Sequence, residues 1–124
     1  TALFFAAIQG NEDFAELLLR FNTKIGVVDK FGSSPLYYAA AGDHVGIIQI
    51  FAEKGADLNQ QSRRGMTPLM VAAAEGNLAA VQILIELKAD GATTDFTGRT
   101  AYDWAVRNKR RFVIRYLASA RSGG

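Results

Sequence analysis

Few side chains in this chain could do chemistry. Arg63 and Arg64 stand side by side in the run QQSRRGM, Gln60 to Met66, just ahead of Thr67-Pro68-Leu69. Two guanidinium forks so placed suit a phosphate, a partner's carboxylates or its backbone carbonyls, because each fork presents parallel N–H donors. A merely solvated loop is the plainer reading. His44 is the single histidine and cysteine is absent, which removes disulfides and cysteine metal sites. No set of ligands at useful spacing offers the several convergent donors a metal needs. Glu12 and Asp13 are adjacent at an expected helix start, where carboxylates complement the positive helix end, so that pair requires no active site. Phosphate loops, nucleophile elbows and dinucleotide fingerprints are missing. These residues point away from an enzyme, and no cofactor or metal is expected.

Charge is unevenly spread. Residues 1–94 hold 7 Lys and Arg against 10 Asp and Glu, and residues 95–124 hold 7 against 2, for a net +2 over the chain. Residues 107–115, RNKRRFVIR, are basic with one aromatic, Phe112, which could be the footprint of a nucleic-acid or acidic-ligand site. The acidic first three quarters would weaken binding to a polyanion. A polar cap on the end of the domain is the simpler reading of the run, and no nucleic-acid partner is expected.

The elements that must position these residues follow from the whole chain. Its 124 residues suit one domain, with a composition ordinary for a globular protein and 21% charged residues. The longest apolar stretches fall far short of the ~18 residues that a spanning helix needs, so no membrane insertion is expected. The chain begins with Thr1 and shows no signal-like segment, which suggests a piece of something longer. The compartment is open, with the cytoplasm as default, and a monomeric domain is expected.

Self-similarity decides the fold. Thr1-Ala2-Leu3, Ser34-Pro35-Leu36, Thr67-Pro68-Leu69 and Thr100-Ala101-Tyr102 recur at a step of 33 residues with no break in register. Ala6-Ala7, Ala39-Ala40 and Ala72-Ala73 keep the same step, as do Gly32, Gly65 and Gly98. Each unit reads as two short helices. Ser34 and Thr67 can cap a helix start, and Pro35 and Pro68 suit the first helical position. Gly10 and Gly76 end that helix. A second helix follows, with Ala80, Val81, Ile83, Leu84 and Ile85 inward and Gln82 and Glu86 outward. Helices of about ten residues are marginal alone, so stacking must bury their faces in a solenoid. Between units, 29–33, 62–66 and 95–99 have turn chemistry, an Asp or Ser with Gly three residues on.

The sequence resembles the ankyrin repeat family. The resemblance rests on Ser34-Pro35-Leu36-Tyr37-Tyr38-Ala39-Ala40, Thr67-Pro68-Leu69-Met70-Val71-Ala72-Ala73, Glu75-Gly76-Asn77 and Gly55-Ala56-Asp57-Leu58-Asn59. It implies an all-α solenoid of stacked helix-turn-helix units with projecting β-hairpin-like turns, or fingers. The units fall at roughly 1–28, 29–61, 62–94 and 95–121 of a single domain, the first lacking its finger. Departures are visible. Phe4, Tyr37, Met70 and Asp103 replace the family's motif histidine, so its hydrogen bond must be lost or substituted. Asp43 replaces a glycine. Lys88 stands where Gly55 ends a helix, at a strain of roughly 1 kcal/mol if left-handed, and Asn22 holds the same place more easily. His44 falls where the family commonly has His or Asn, a structural position. Phe4, Phe5 and Ile8 lie at a bare first edge. Either an upstream repeat covers them or they pack on the second unit.

The family implies a non-catalytic module that binds another protein or peptide through fingertips and the concave face of the first helices. Carried onto this sequence, the fingers offer Lys30, Phe31 and Ser33, then Arg63, Arg64 and Met66, then Phe96, Thr97 and Arg99. The first helices offer Tyr38, Glu75, Arg107 and Asn108. For Tyr38 and Trp104, packing between repeats is the plainer role. A regulatory or targeting domain of a larger enzyme or channel is a further alternative.

Overall fold

The computed structural model describes residues 2–21 and 23–123, with side chains through residue 120. Eight helices follow one another among the described residues: α1 (Ala2–Gln9), α2 (Glu12–Arg20), α3 (Pro35–Ala41), α4 (Val45–Glu53), α5 (Pro68–Glu75), α6 (Leu78–Glu86), α7 (Ala101–Arg107) and α8 (Arg111–Gly123). They stack as two layers. Helices α1, α3, α5 and α7 pack in sequence along one layer, and α2, α4, α6 and α8 along the other, each first helix also packing on its own second helix.

The expected start signals work locally. Ser34 Oγ accepts from the Tyr37 N–H at 3.2 Å, and Thr67 Oγ1 accepts from the Met70 N–H at 3.2 Å. Pro35 and Pro68 follow at the first helical turn. In the last unit Asp103 replaces the motif histidine and closes a capping box: its carboxylate accepts from the Thr100 N–H while Thr100 Oγ1 accepts from the Asp103 N–H. In the third unit Met70 at the same place is buried in the core, so there the histidine is replaced by apolar packing.

Small residues let the first helices approach closely. Ala6, Ala7, Ala39, Ala40, Ala72, Ala73 and Ala105 are buried in one continuous core with Leu3, Leu36, Leu69, Ile47, Ile48, Phe51, Val81 and Leu84. Left-handed backbone appears where the turns require it, at Gly10 and Gly76 and also at Asp43, Lys88 and Lys109. Lys88 thus carries the strain anticipated for it. Asn22 lies outside the described residues.

One position per unit staples a helix pair to its predecessor. His44 Nε2 lies 3.1 Å from the Ile8 carbonyl oxygen. One repeat on, Asn77 Nδ2 donates to the Ala40 and Ala41 carbonyls at 3.0 and 2.9 Å. One further, Arg110 Nε donates to the Ala74 carbonyl at 2.9 Å. These carbonyls lie at the C-terminal ends of the first helices, which lack helical partners. His44 therefore has a structural task. At the first edge the two readings divide: Phe4 packs edge-on against Tyr38 of the next unit, whereas Phe5 and Ile8 are exposed.

Candidate functional site

Three fingers project between the helix pairs, and each is closed by its first residue. Asp29, Ser62 and Asp95 each donate their N–H to the carbonyl four residues on and accept at their own carbonyl from Gly32, Gly65 or Gly98. Their side chains cap the tip from within. Asp29 Oδ1 accepts from the Phe31 and Ser33 N–H groups at 2.9 and 3.0 Å. Asp95 Oδ1 accepts from the Thr97 and Arg99 N–H groups at 2.9 and 3.0 Å and from the Thr97 hydroxyl. Ser62 Oγ makes the equivalent but longer bonds to Arg64 and Met66, both 3.3 Å.

The fingers are also joined edge to edge. The Arg63 N–H donates to the Phe31 carbonyl at 2.9 Å, and the Phe96 N–H to the Arg64 carbonyl at 3.0 Å. Gln61 Nε2 bridges the Gly65 and Thr94 carbonyls, each at 3.0 Å. Gly65 is needed twice over. Its φ is +80°, and a Cβ there would stand 2.8 Å from the Phe96 nitrogen and 2.7 Å from its ring. The Phe96 ring therefore rests on the middle finger's backbone.

Two aromatic side chains tie fingers to first helices. The Tyr38 hydroxyl donates to Asp29 Oδ2, and Trp104 Nε1 donates to Asp95 Oδ2 at 2.9 Å. Tyr38 also packs edge-on against Tyr37, and the Arg99 guanidinium lies 5.4 Å from the Trp104 ring centroid. These bonds set the electrostatics. Burial pushes the Asp95 carboxyl up, but the Thr97 hydroxyl, the Arg99 N–H and the Trp104 indole together hold it down at about 2. Asp29 is likewise lowered: burial opposes, while the Tyr38 hydroxyl and the Ser33 and Phe31 N–H groups outweigh it. The bond to Asp29 raises the Tyr38 phenol, with burial adding to it. Burial raises the Tyr37 phenol, against the nearby positive charge of Arg64.

Between the fingers and helices α3 and α7 lies a groove of about 770 Å³. Phe31, Ser33, Tyr38, Arg63, Arg64, Met66, Phe96 and Thr97, all expected from the sequence, line it together. Tyr37, Ser62, Asp95 and Trp104 complete the walls. Lys30, Glu75, Arg99, Arg107 and Asn108 lie outside its lining. Phe31 and Phe96 are 58% and 72% exposed, and Ser33 is only 5% exposed. Ser33 is thus floor rather than fingertip, its N–H turned to Asp29. Asn108 is spent internally: its Nδ2 donates to the Ala74 carbonyl at 2.9 Å, the same oxygen that Arg110 engages. Lys30 lies with its Nζ 5.2 Å from the centre of the Phe31 ring.

Tyr37 and Asp95 were missed because each had another reading, Tyr37 as a histidine replacement and Asp95 as turn chemistry. The available signal was spacing. Asp29 and Tyr38, and Asp95 and Trp104, stand nine residues apart in two units. At the basic end Arg107, Lys109, Arg111 and Arg115 are exposed around a 64% exposed Phe112, but Arg110 serves the repeat interface. No group of three or more His, Cys, Asp or Glu gathers as a metal set among the described residues, and none of their helices is long and apolar enough to cross a membrane.

Stacked helix pairs with finger turns define a helical repeat solenoid. Residues 1–62 and 54–123 match the family model of ankyrin repeats (3 copies), and the chain belongs to that family. Ankyrin repeats are generally protein–protein interaction modules and generally non-catalytic. Among curated proteins, the chain is similar to the palmitoyltransferase AKR1 of Lachancea kluyveri, 34% identical over 62 residues. It is also similar to an ankyrin repeat and KH domain-containing protein of Caenorhabditis briggsae, 38% identical over 64 residues. The first match covers 50% of this chain but 8% of that protein, the second 52% and 2%. The matched stretch is therefore a small part of either relative.

Proposed function

We propose that this chain is a non-catalytic module that binds a protein or peptide in the groove beneath its fingers. The observation that carries the reading is that eight residues offered as contacts by the sequence line one groove of about 770 Å³. Phe31 and Phe96 supply exposed rings and Arg63 and Arg64 supply forks, residue types enriched at binding hot spots. Substituting Phe31→Ser, Phe96→Ser, Arg63→Gln and Arg64→Gln together tests it. Partner capture is expected to fall while the thermal unfolding midpoint moves little. Undiminished capture by the folded quadruple variant would sink the reading.

A second reading is that this module serves a larger protein as its regulatory or targeting segment. What favours it is that the matched stretches occupy only 8% and 2% of the two relatives. Flanking catalytic or membrane segments in the full reading frame would support it, and a short frame ending near residue 124 would not. Nucleic-acid binding through the basic end has less support. Arg110 is engaged by Ala74, so a useful test neutralises Arg107, Lys109 and Arg111 and measures retention on RNA. Retention that is salt-sensitive and lost in that variant would raise this reading.

A further inference from the structure

We infer that the groove receives an extended acidic segment of a partner protein, with two carboxylate side chains between two apolar ones. In pattern this is apolar, x, acidic, x, acidic, x, apolar. The inference rests on the groove reading above and adds the chemistry of what fills it.

The charges on the groove are divided into spent and unspent. The Asp29 and Asp95 carboxylates point inward to backbone, hydroxyl, phenol and indole donors. Arg99 donates to the Thr97 hydroxyl at 3.1 Å and covers Trp104. Arg110 holds the Ala74 carbonyl. The Arg63 and Arg64 guanidinium groups, by contrast, have no hydrogen bond or ion pair among the described residues. Both are exposed on the groove's rim. Two free forks, side by side on that rim, complement carboxylates.

The order along the solenoid supplies the rest. Phe31 and Tyr38 form one end of the groove, Arg63, Arg64 and Met66 the middle, and Phe96 and Trp104 the other end. Successive helices pack roughly 9 Å apart, so Tyr38 and Trp104, which hold the same place two repeats apart, are separated by about 18 Å. An extended chain advances about 3.3 Å per residue, and its alternate side chains share one face. About six residue steps, seven positions in all, therefore join the two ends, and the two positions between them on the same face meet the arginines. A nucleic acid fits less well, because two free cations and aromatic end walls offer little to a continuous phosphate backbone.

The test is selection of a random displayed 12-residue peptide library against the whole chain, followed by titration of the synthesised winners. The expected winners carry the apolar–acidic–acidic–apolar spacing. Their affinity should fall about tenfold or more for Arg63→Gln/Arg64→Gln, and should weaken as salt screens the exposed charges. The salt series reads the same charges on the unaltered chain, so the result does not hinge on how the variant folds. Winners that lose binding with Phe31→Ser/Phe96→Ser, yet lack acidic residues and ignore salt and the arginine changes, would overturn the inference and leave the groove reading standing. Winners indifferent to both pairs of substitutions, or none at all, would overturn both.

Discussion

The outer fingers and the middle finger are built from the same turn but held in different ways. Each outer finger is tied down to its own first helix, Asp29 by Tyr38 and Asp95 by Trp104. The middle finger has Ser62 and Val71 at those places, and Val71 is buried in the core. It is held sideways instead, through Arg63 to Phe31, Phe96 to Arg64, and Gln61 to Thr94. The difference shows a division of labour. Fixed aromatic walls stand at the ends of the groove, while the centre, freed from any such tie, presents two uncommitted arginines.

The middle and outer fingers differ most in what their glycines face. Gly65→Ala places a left-handed alanine against Phe96, whereas Gly98, at φ +85°, faces open space. We expect Gly65→Ala to cost about 2–4 kcal/mol, backbone strain plus a clash, and Gly98→Ala about 1 kcal/mol. Chemical denaturation of the two variants decides it, and equal costs would mean that the Phe96 ring does not rest on the middle finger.

The next effect sets carboxylate against hydroxyl. Asp95→Ala leaves the Trp104 indole and two backbone N–H groups without their acceptor and should cost about 2–3 kcal/mol. Ser62→Ala removes two long bonds and should cost about 0.5–1 kcal/mol. The same bonds give the outer fingers a pH signature. Asp95 is held at about 2 when folded, against an unfolded value of about 3.9. Its stabilisation is present in full above the unfolded value and is lost as pH falls from about 4 towards 2. Asp29 is shifted in the same direction. Unfolding free energy measured from pH 6 down to 2 should therefore fall less steeply for Asp95→Asn than for the unaltered chain. Parallel curves would contradict the inward bonds of Asp95.

The smallest expected effect on stability belongs to the fingertip rings. Phe31→Ser removes an exposed side chain and should change stability by no more than about 0.5 kcal/mol. Partner affinity should nonetheless fall by about tenfold or more if this ring is a hot spot. Melting curves and titrations on one variant separate the two effects.

Much of the architecture was legible in the sequence, because a 33-residue step repeats the same physics. Ser34 and Thr67 cap, glycines turn, and alanines admit the neighbouring helix. Even the left-handed Lys88 could be anticipated from its place in the repeat. The groove was only partly legible. Exposure of Phe31 and Phe96 follows from their position on turns, but the depth of Ser33 does not, since it depends on how the finger folds back on Asp29. The ties from Tyr38 and Trp104 were hidden because the middle unit, with Ser62 and Val71, breaks their column. Asn108 and Arg110 look like free surface polar groups until the preceding helix end, with its open Ala74 carbonyl, is set against them.

Trp104 is the chain's single tryptophan and forms one end wall of the groove. Acrylamide quenching of its fluorescence, with and without a saturating bound protein or selected peptide, therefore reports directly on whether the groove is filled. The groove account predicts that quenching drops on saturation and that the drop follows the same binding curve as complex formation. A ligand that saturates the chain while Trp104 stays as accessible as before would contradict it.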